Sequence, residues 1–159
     1  MRIRSLLVVL VLSLVSALPL FAQLPASTQA EVGQYLRTNY TKREVMIPVR
    51  DGVKLFTVIY EPKDKSQKYP VLLNRTPYTV GPYGPDSFKN TVGPNYLFAR
   101  EGYIFAYQDV RGRWRSEGVW EDVRPDIANT KPSEIDESTD TYDTIDWLVK
   151  NVENNNGRV

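Results

Sequence analysis

Apolar positions in this chain cluster in short runs divided by turn-forming residues, and the runs carry two different periods. Glu44–Val49 (EVMIPV) and Val53–Tyr60 (VKLFTVIY) flank Arg50-Asp51-Gly52. Asp-Gly between two such runs predicts a β-hairpin, because glycine accepts a positive φ without steric cost. In the second run Val53, Leu55, Thr57 and Ile59 alternate with Lys54, Phe56, Val58 and Tyr60, a β-branched and aromatic pattern that favours a strand ending at Glu61-Pro62. Lys63–Lys68 reads as a charged surface turn. Pro70–Leu73 (PVLL) is apolar without alternation, as expected of a strand buried on both faces. Residues 76–94 lose all period and are rich in Pro, Gly, Tyr and Thr, and a connection this long is usually functional or mobile.

Asn95–Arg100 predicts a short helix with Gly102 past its end, and Tyr103–Val110 (YIFAYQDV) the next strand. A second long loop, 111–136, follows. Tyr142, Ile145, Leu148, Val149 and Val152 then fall on one face of a helix over Asp140–Val152. Ser138 or Thr139 stands where a cap is needed, and Asp140 and Asp143 suit the positive end of the helix dipole. Asn154–Gly157 breaks that helix, and Arg158-Val159 looks like a strand just beginning. Strands alternating with helices predict an α/β protein whose sheet is largely parallel after the N-terminal hairpin. The last helix lacks the strand it should pack beside, so the expectation is a chain cut short.

The first 40 residues read differently. Residues 1–22 (MRIRSLLVVLVLSLVSALPLFA) join a basic start, Arg2 and Arg4, to the apolar stretch Leu6–Val15 and then to small residues. This is the pattern of a signal peptide, with cleavage near Ala22 or Ala17 and a secreted or periplasmic product. Leu6–Phe21 contains Pro19 and falls short of the ~20 residues that span a bilayer, so no stable membrane anchor is expected after cleavage. Residues 23–40 look like a polar N-terminal arm, leaving 41–159 as the α/β domain.

Composition narrows the chemistry. Among 159 residues there is no cysteine and no histidine, which excludes disulfides, thiolate or histidine metal sites and a complete Ser-His-Asp or Cys-His set within the chain. Twenty Lys and Arg against nineteen Asp and Glu give no basic excess for nucleic acid.

Seven motifs stand in register along the domain: Arg50–Leu55 (RDGVKL), Asn74–Tyr78 (NRTPY), Tyr107–Gly112 (YQDVRG), Ser116–Gly118 (SEG), Asp136–Asp140 (DESTD), Tyr142–Leu148 (YDTIDWL) and Asn156–Val159 (NGRV). Together they resemble the N-terminal part of the CocE/NonD hydrolases, which include Xaa-Pro dipeptidyl-peptidase-like proteins, α-amino-acid ester hydrolases and glutaryl-cephalosporin acylases. The resemblance runs from about Tyr40 to Val159 and implies the N-terminal half of an α/β-hydrolase fold with a Ser-Asp-His triad. In that family the serine stands on a G-x-S-Y-x-G elbow after the segment like Asn156–Val159, and Asp and His come later. The triad residues are therefore absent here, and the chain alone is expected to be inactive. The resemblance assigns one catalytic residue: Tyr78, after the PVLL strand, as an oxyanion-hole donor. It implies no cofactor, and a small-molecule ester or amide, or a peptide, as substrate. Oligomeric state is left open.

Other residues have plainer readings. Asp109 and Arg111, at the end of a strand, are expected to form ion pairs holding the next loop. Arg111, Arg113 and Arg115 with Trp114 make a weak basic patch. Glu134, Asp136, Glu137, Asp140, Asp143 and Asp146 lack a D-x-D-x-D-G loop for calcium and suit a solvated acidic helix start. Asn39-Tyr40-Thr41 fits a glycosylation acceptor, relevant only in a eukaryotic secretory route. Two function classes remain: part of an exported serine hydrolase, or a non-catalytic exported α/β module that binds a ligand or protein partner.

Overall fold

A computed structural model describes residues 29–122, 131 and 134–159. The signal segment 1–22 and part of the 111–136 loop lie outside the described residues. The elements, in chain order, are α1 (Gln29–Asn39), β1 (Tyr40–Pro48), β2 (Lys54–Pro62), β3 (Val71–Thr76), α2 (Leu97–Arg100), β4 (Ile104–Asp109) and α3 (Glu137–Asn151). The strands form one sheet in the order β1-β2-β4-β3.

β1 and β2 form the antiparallel hairpin expected at Asp51-Gly52, closed by Val49 N–H to Val53 O at 2.9 Å, with Gly52 at φ 87°. β2 runs antiparallel to β4, and β4 pairs with β3 in parallel, so the sheet is mixed and its parallel part is the β3–β4 pair. A parallel pair needs a long crossover; here it is the 77–103 connection that carries α2.

The alternation in β2 is between two covered faces rather than core and water. Phe56, Val58 and Tyr60 pack with Val32 and Leu36 of α1, Val80 and Val92 of the long loop, and Phe105. Ile59 joins Ile47, Val71, Ile104 and Ala106 against Leu148 and Val152 of the opposite layer. Each Val, Leu, Ile or Phe among them contributes roughly 1.5–3 kcal/mol on burial.

Two expectations are corrected. The arm 23–40 is not all arm: residues 29–39 are helical, and Val32 and Leu36, one turn apart, are buried on the sheet. The second correction concerns α3. Asp136, not Ser138 or Thr139, is its cap: the Asp136 carboxylate accepts from Thr139 N–H at 2.8 Å, and Asp136 N–H donates to Thr139 Oγ1 at 2.9 Å. Its buried stripe is Asp140, Thr144 and Leu148, continued by Val152, whereas Tyr142 is 68% exposed and Val149 faces outward. The helix is rotated from its apolar face because charged and amide groups of the sheet lie beneath its first two turns.

Residues 154–158 run beside the start of β3, as the beginning of a strand was expected to. Tyr69 N–H donates to Asn154 O at 2.7 Å, Asn156 N–H to Tyr69 O at 2.9 Å and Val71 N–H to Arg158 O at 2.9 Å. After α2 the chain turns at Gly102, at φ 81°, where a Cβ would lie 2.3 Å from the Tyr69 ring, so only glycine fits. Among the described residues no helix is long and apolar enough to cross a membrane.

Candidate active site at the carboxyl ends of β3 and β4

β3 and β4 end side by side, with Thr76 opposite Asp109, and the loops that follow, 77–94 and 110–122, meet above them. In α/β sheets this carboxyl edge is where ligands bind. A surface cavity of about 350 Å³ opens at the other end, beside Tyr69 and Gly102.

Tyr78 lies two residues beyond β3 with its ring 76% exposed. The backbone around it, by contrast, is held at several peptide groups. Tyr78 N–H donates to Thr76 Oγ1 at 3.1 Å. The carbonyl of Pro77 accepts from Arg113 Nε at 3.0 Å and from the Trp114 indole at 3.1 Å. Val80 N–H donates to Asp109 Oδ1 at 3.1 Å.

Among the described residues Asp109 does not form the ion pair expected of it. Fully buried, it accepts from Val80 N–H, from the Tyr83 hydroxyl at 3.1 Å and from Arg115 N–H at 3.4 Å, all neutral donors. Burial pushes its carboxyl above the usual carboxylate range despite these bonds. Its backbone carbonyl takes the Ser116 hydroxyl, and Ser116 Oγ in turn accepts from Phe56 N–H at 2.8 Å. One aspartate thus ties β4 to both loops.

Arg111 does pair, and more deeply than a loop clasp requires. Its guanidinium, 4% exposed, bonds Asp140 at 2.9 and 2.6 Å and Asp51 at 2.7 and 3.2 Å, joining the hairpin turn to α3. Burial opposes its charge, but the two carboxylates outweigh burial and raise its pKa. Beside it Arg75 Nε donates to Gln108 Oε1 at 2.8 Å, and Gln108 Nε2 donates to Thr57 and Thr144 at 2.9 and 3.0 Å. These are the groups that α3 meets with Asp140 and Thr144.

The remaining basic and acidic clusters are similarly engaged. Arg113 lies over Trp120, and Arg115 over Tyr83 at 4.3 Å to the ring centroid, within 3.5 Å of Glu44. Rather than a solvated acidic start, α3 presents carboxylates with partners: Asp136 caps, Glu137 meets Arg75, Asp140 meets Arg111 and Asp143 meets Arg50. Among the described residues no three His, Cys, Asp or Glu side chains cluster as metal ligands do. Asn39 donates its side-chain amide to Tyr35 O at the end of α1.

Sequence reasoning missed Lys42. Its buried ammonium lies 2.7 Å from Pro82 O, 2.7 Å from Gly84 O, 2.8 Å from Ser87 O and 3.1 Å from Glu44 Oε1, which also accepts from Gly84 N–H. Nothing in its residue type marks a lysine as internal. In sum, the site offers an exposed phenol on a fixed loop, and no nucleophile–base pair among the described residues.

The model of the X-Pro dipeptidyl-peptidase (S15) family matches residues 51–159. Cocaine esterase of Rhodococcus sp. (strain MB1 Bresler) is 35% identical over 111 residues, covering 67% of this chain and 16% of the esterase. The structure of an α-amino acid ester hydrolase is 45% identical with a TM-score of 0.61, over 75% of this chain and 20% of that one. An aminopeptidase from the marine sediment archaeon Thaumarchaeota archaeon is 46% identical with a TM-score of 0.65, over 76% of this chain and 20% of that one. The chain thus spans about one-fifth or less of the length of these relatives.

Proposed function

The chain belongs to the X-Pro dipeptidyl-peptidase (S15) family, that of the CocE/NonD α/β hydrolases, and from that premise we propose that it forms the N-terminal part of an exported serine hydrolase. Such an enzyme cleaves an ester, amide or peptide by acylating a serine. In this reading the serine, aspartate and histidine belong to the part of the relatives' length that this chain does not span, which accords with its lack of histidine. Residues 1–22 direct export and are removed near Ala22 or Ala17.

The role of this chain is to supply the electrophilic half of the site. As the serine attacks, the substrate carbonyl oxygen gains negative charge, and Tyr78 donates its O–H to that oxygen. A donor fixed beforehand stabilises the transition state without reorganising during the reaction. The observation that carries this reading is Tyr78 itself: a largely exposed phenol on an immobilised backbone at the carboxyl end of β3.

Two measurements test it. In an enzyme carrying the full family length, Tyr78→Phe is expected to lower kcat by about 10²–10³ with little change in KM. The 159-residue chain alone is expected to show no turnover of p-nitrophenyl or amino-acid esters above buffer and no labelling by a fluorophosphonate. Full activity in the variant, or turnover by the chain that survives repurification, overturns the proposal.

A further inference from the structure

Trp114 is out of place by the ordinary rules of folding. It is a bulky residue in the left-handed backbone region, at φ 50°, where side chains other than glycine, asparagine and aspartate are rarely found. Burial does not compensate it, since the residue remains 60% exposed. What the conformation achieves is one contact: the indole N–H reaches the carbonyl of Pro77 at 3.1 Å. The neighbouring Arg113 Nε bonds the same carbonyl at 3.0 Å, and its guanidinium is steadied 5.2 Å from the Trp120 ring centroid.

The turn that presents both donors is itself fixed. Gly112 N–H donates to Glu117 O at 2.8 Å, Arg113 N–H to Val110 O at 3.0 Å and Ser116 N–H to Arg113 O at 2.9 Å. Gly112 sits so close to the following strand of loop that a Cβ would fall 2.1 Å from Trp120 N. Two side-chain donors on a rigid turn therefore converge on the carbonyl that immediately precedes Tyr78. Pro77 has a fixed φ, so holding its carbonyl sets the plane of the Pro77–Tyr78 peptide and with it the direction in which the Tyr78 side chain leaves the backbone.

We infer that Arg113 and Trp114 are positioning residues for Tyr78: they clamp the Pro77 carbonyl and so aim the phenol. This rests on the reading of Tyr78 as the oxyanion donor. Backbone strain retained at an exposed residue is intelligible as the cost of that aim, because small misplacement of a catalytic donor can lower rates by up to about 10²-fold.

The test uses the full-length enzyme in a double-mutant cycle. Trp114→Phe keeps the ring and deletes the N–H; it is expected to lower kcat about tenfold with KM nearly unchanged, and Arg113→Gln with it to approach the loss of Tyr78→Phe. In the Tyr78→Phe background the same two substitutions are expected to cost nothing further, since there is no hydroxyl left to aim. Trp114→Gly should leave the melting temperature unchanged or raised, because it relieves the left-handed strain, while kcat still falls. A loss of kcat that persists undiminished in the Tyr78→Phe background, or an unchanged kcat in the Arg113→Gln/Trp114→Phe pair, overturns the catalytic inference. A 3-fluorotyrosine at position 78 separates the two readings: its fluorine resonance should broaden or shift in the pair. If it does so while Tyr78→Phe retains full turnover, the clamp stands and the oxyanion assignment falls. An unmoved resonance overturns the clamp.

Discussion

Replacing Arg111 by methionine is expected to be among the most damaging single changes in this domain. The guanidinium holds two carboxylates at once, and one of them, Asp140, is 1% exposed. Without Arg111 the nearest cation to Asp140 is Arg75, whose Nη2 lies 3.8 Å away and whose other bonds go to Glu137, Gln108 and Thr141. Asp51 suffers less, because its side chain is 22% exposed and water can replace the lost bonds. Breaking a buried pair typically costs about 3–5 kcal/mol; with Arg75 still near, about 3 kcal/mol is expected. At roughly 3–4 °C per kcal/mol for a domain of this size, the melting temperature should drop by about 10 °C. The companion variant Arg111→Met/Asp140→Leu removes the orphaned charge together with its partner and should recover to within about 1 kcal/mol of the parent. Urea unfolding followed by tryptophan fluorescence measures both. A single variant that loses less than 1 kcal/mol, or a double variant less stable than the single, would refute the assignment of Arg111 and Asp140 as a coupled buried pair.

Gly102→Ala combines a positive φ with a Cβ 2.3 Å from Tyr69, and should destabilise by at least about 2 kcal/mol in the same assay; a loss below 0.5 kcal/mol on the order of experimental error contradicts the close approach. Burial raises the carboxyls of Asp51 and Asp143, but bonds from Arg111 and Arg50 outweigh it and hold both below the ordinary range, so their stabilisation is full above about pH 4 and is lost as pH falls through the lowered values. The destabilisation caused by Arg50→Gln should accordingly be full at pH 7 and should shrink as pH falls below about 4, with an effect that stays undiminished in acid as the contrary result. Asp109 acts with the opposite sign: burial raises its carboxyl, so its contribution diminishes as pH rises through that raised value. Expressed with its leader in a bacterium, the protein should leave the cytoplasm about 2 kDa lighter than the 18.2 kDa chain, and intact Met1 on a membrane-embedded product would count against cleavage.

The sheet was readable in the sequence because its strands are written in residue type. Val53–Tyr60 and Tyr103–Val110 are dense in β-branched and aromatic side chains, and Asp51-Gly52 leaves little choice of turn. α1 escaped notice because QAEVGQYLRTN needs only Val32 and Leu36 to hold it down, too few to show a period. The face of α3 was misread for a different reason. Periodicity weighs Tyr142, Ile145 and Val149 as apolar, yet the surface beneath offers Arg75 and Gln108 of the sheet and Arg111 just past β4, and a buried guanidinium demands a carboxylate before it tolerates an isoleucine. Tyr78 stands out through its motif, whereas the bonds from Arg113 and Trp114 to Pro77 O do not: the acceptor is a backbone carbonyl, which has no letter of its own. Asp109 was located correctly at the strand end but given the wrong partners, since neutral N–H donors from two loops are invisible until the chain is folded.

The ammonium of Lys42 occupies, among three carbonyls and a carboxylate, the kind of nest in which many proteins seat a metal ion. Because this cation is tethered to β1 by its own side chain, its effective concentration at the nest is fixed by covalent geometry and not by the medium. Chelators have nothing to remove there, and swings in calcium or potassium concentration have nothing to dilute. The loop over residues 82–87 keeps its shape at the expense of one lysine's rotamer freedom, about 2 kcal/mol at most. A protein with its cation built into the chain can carry its loop architecture unchanged from one ionic environment to the next.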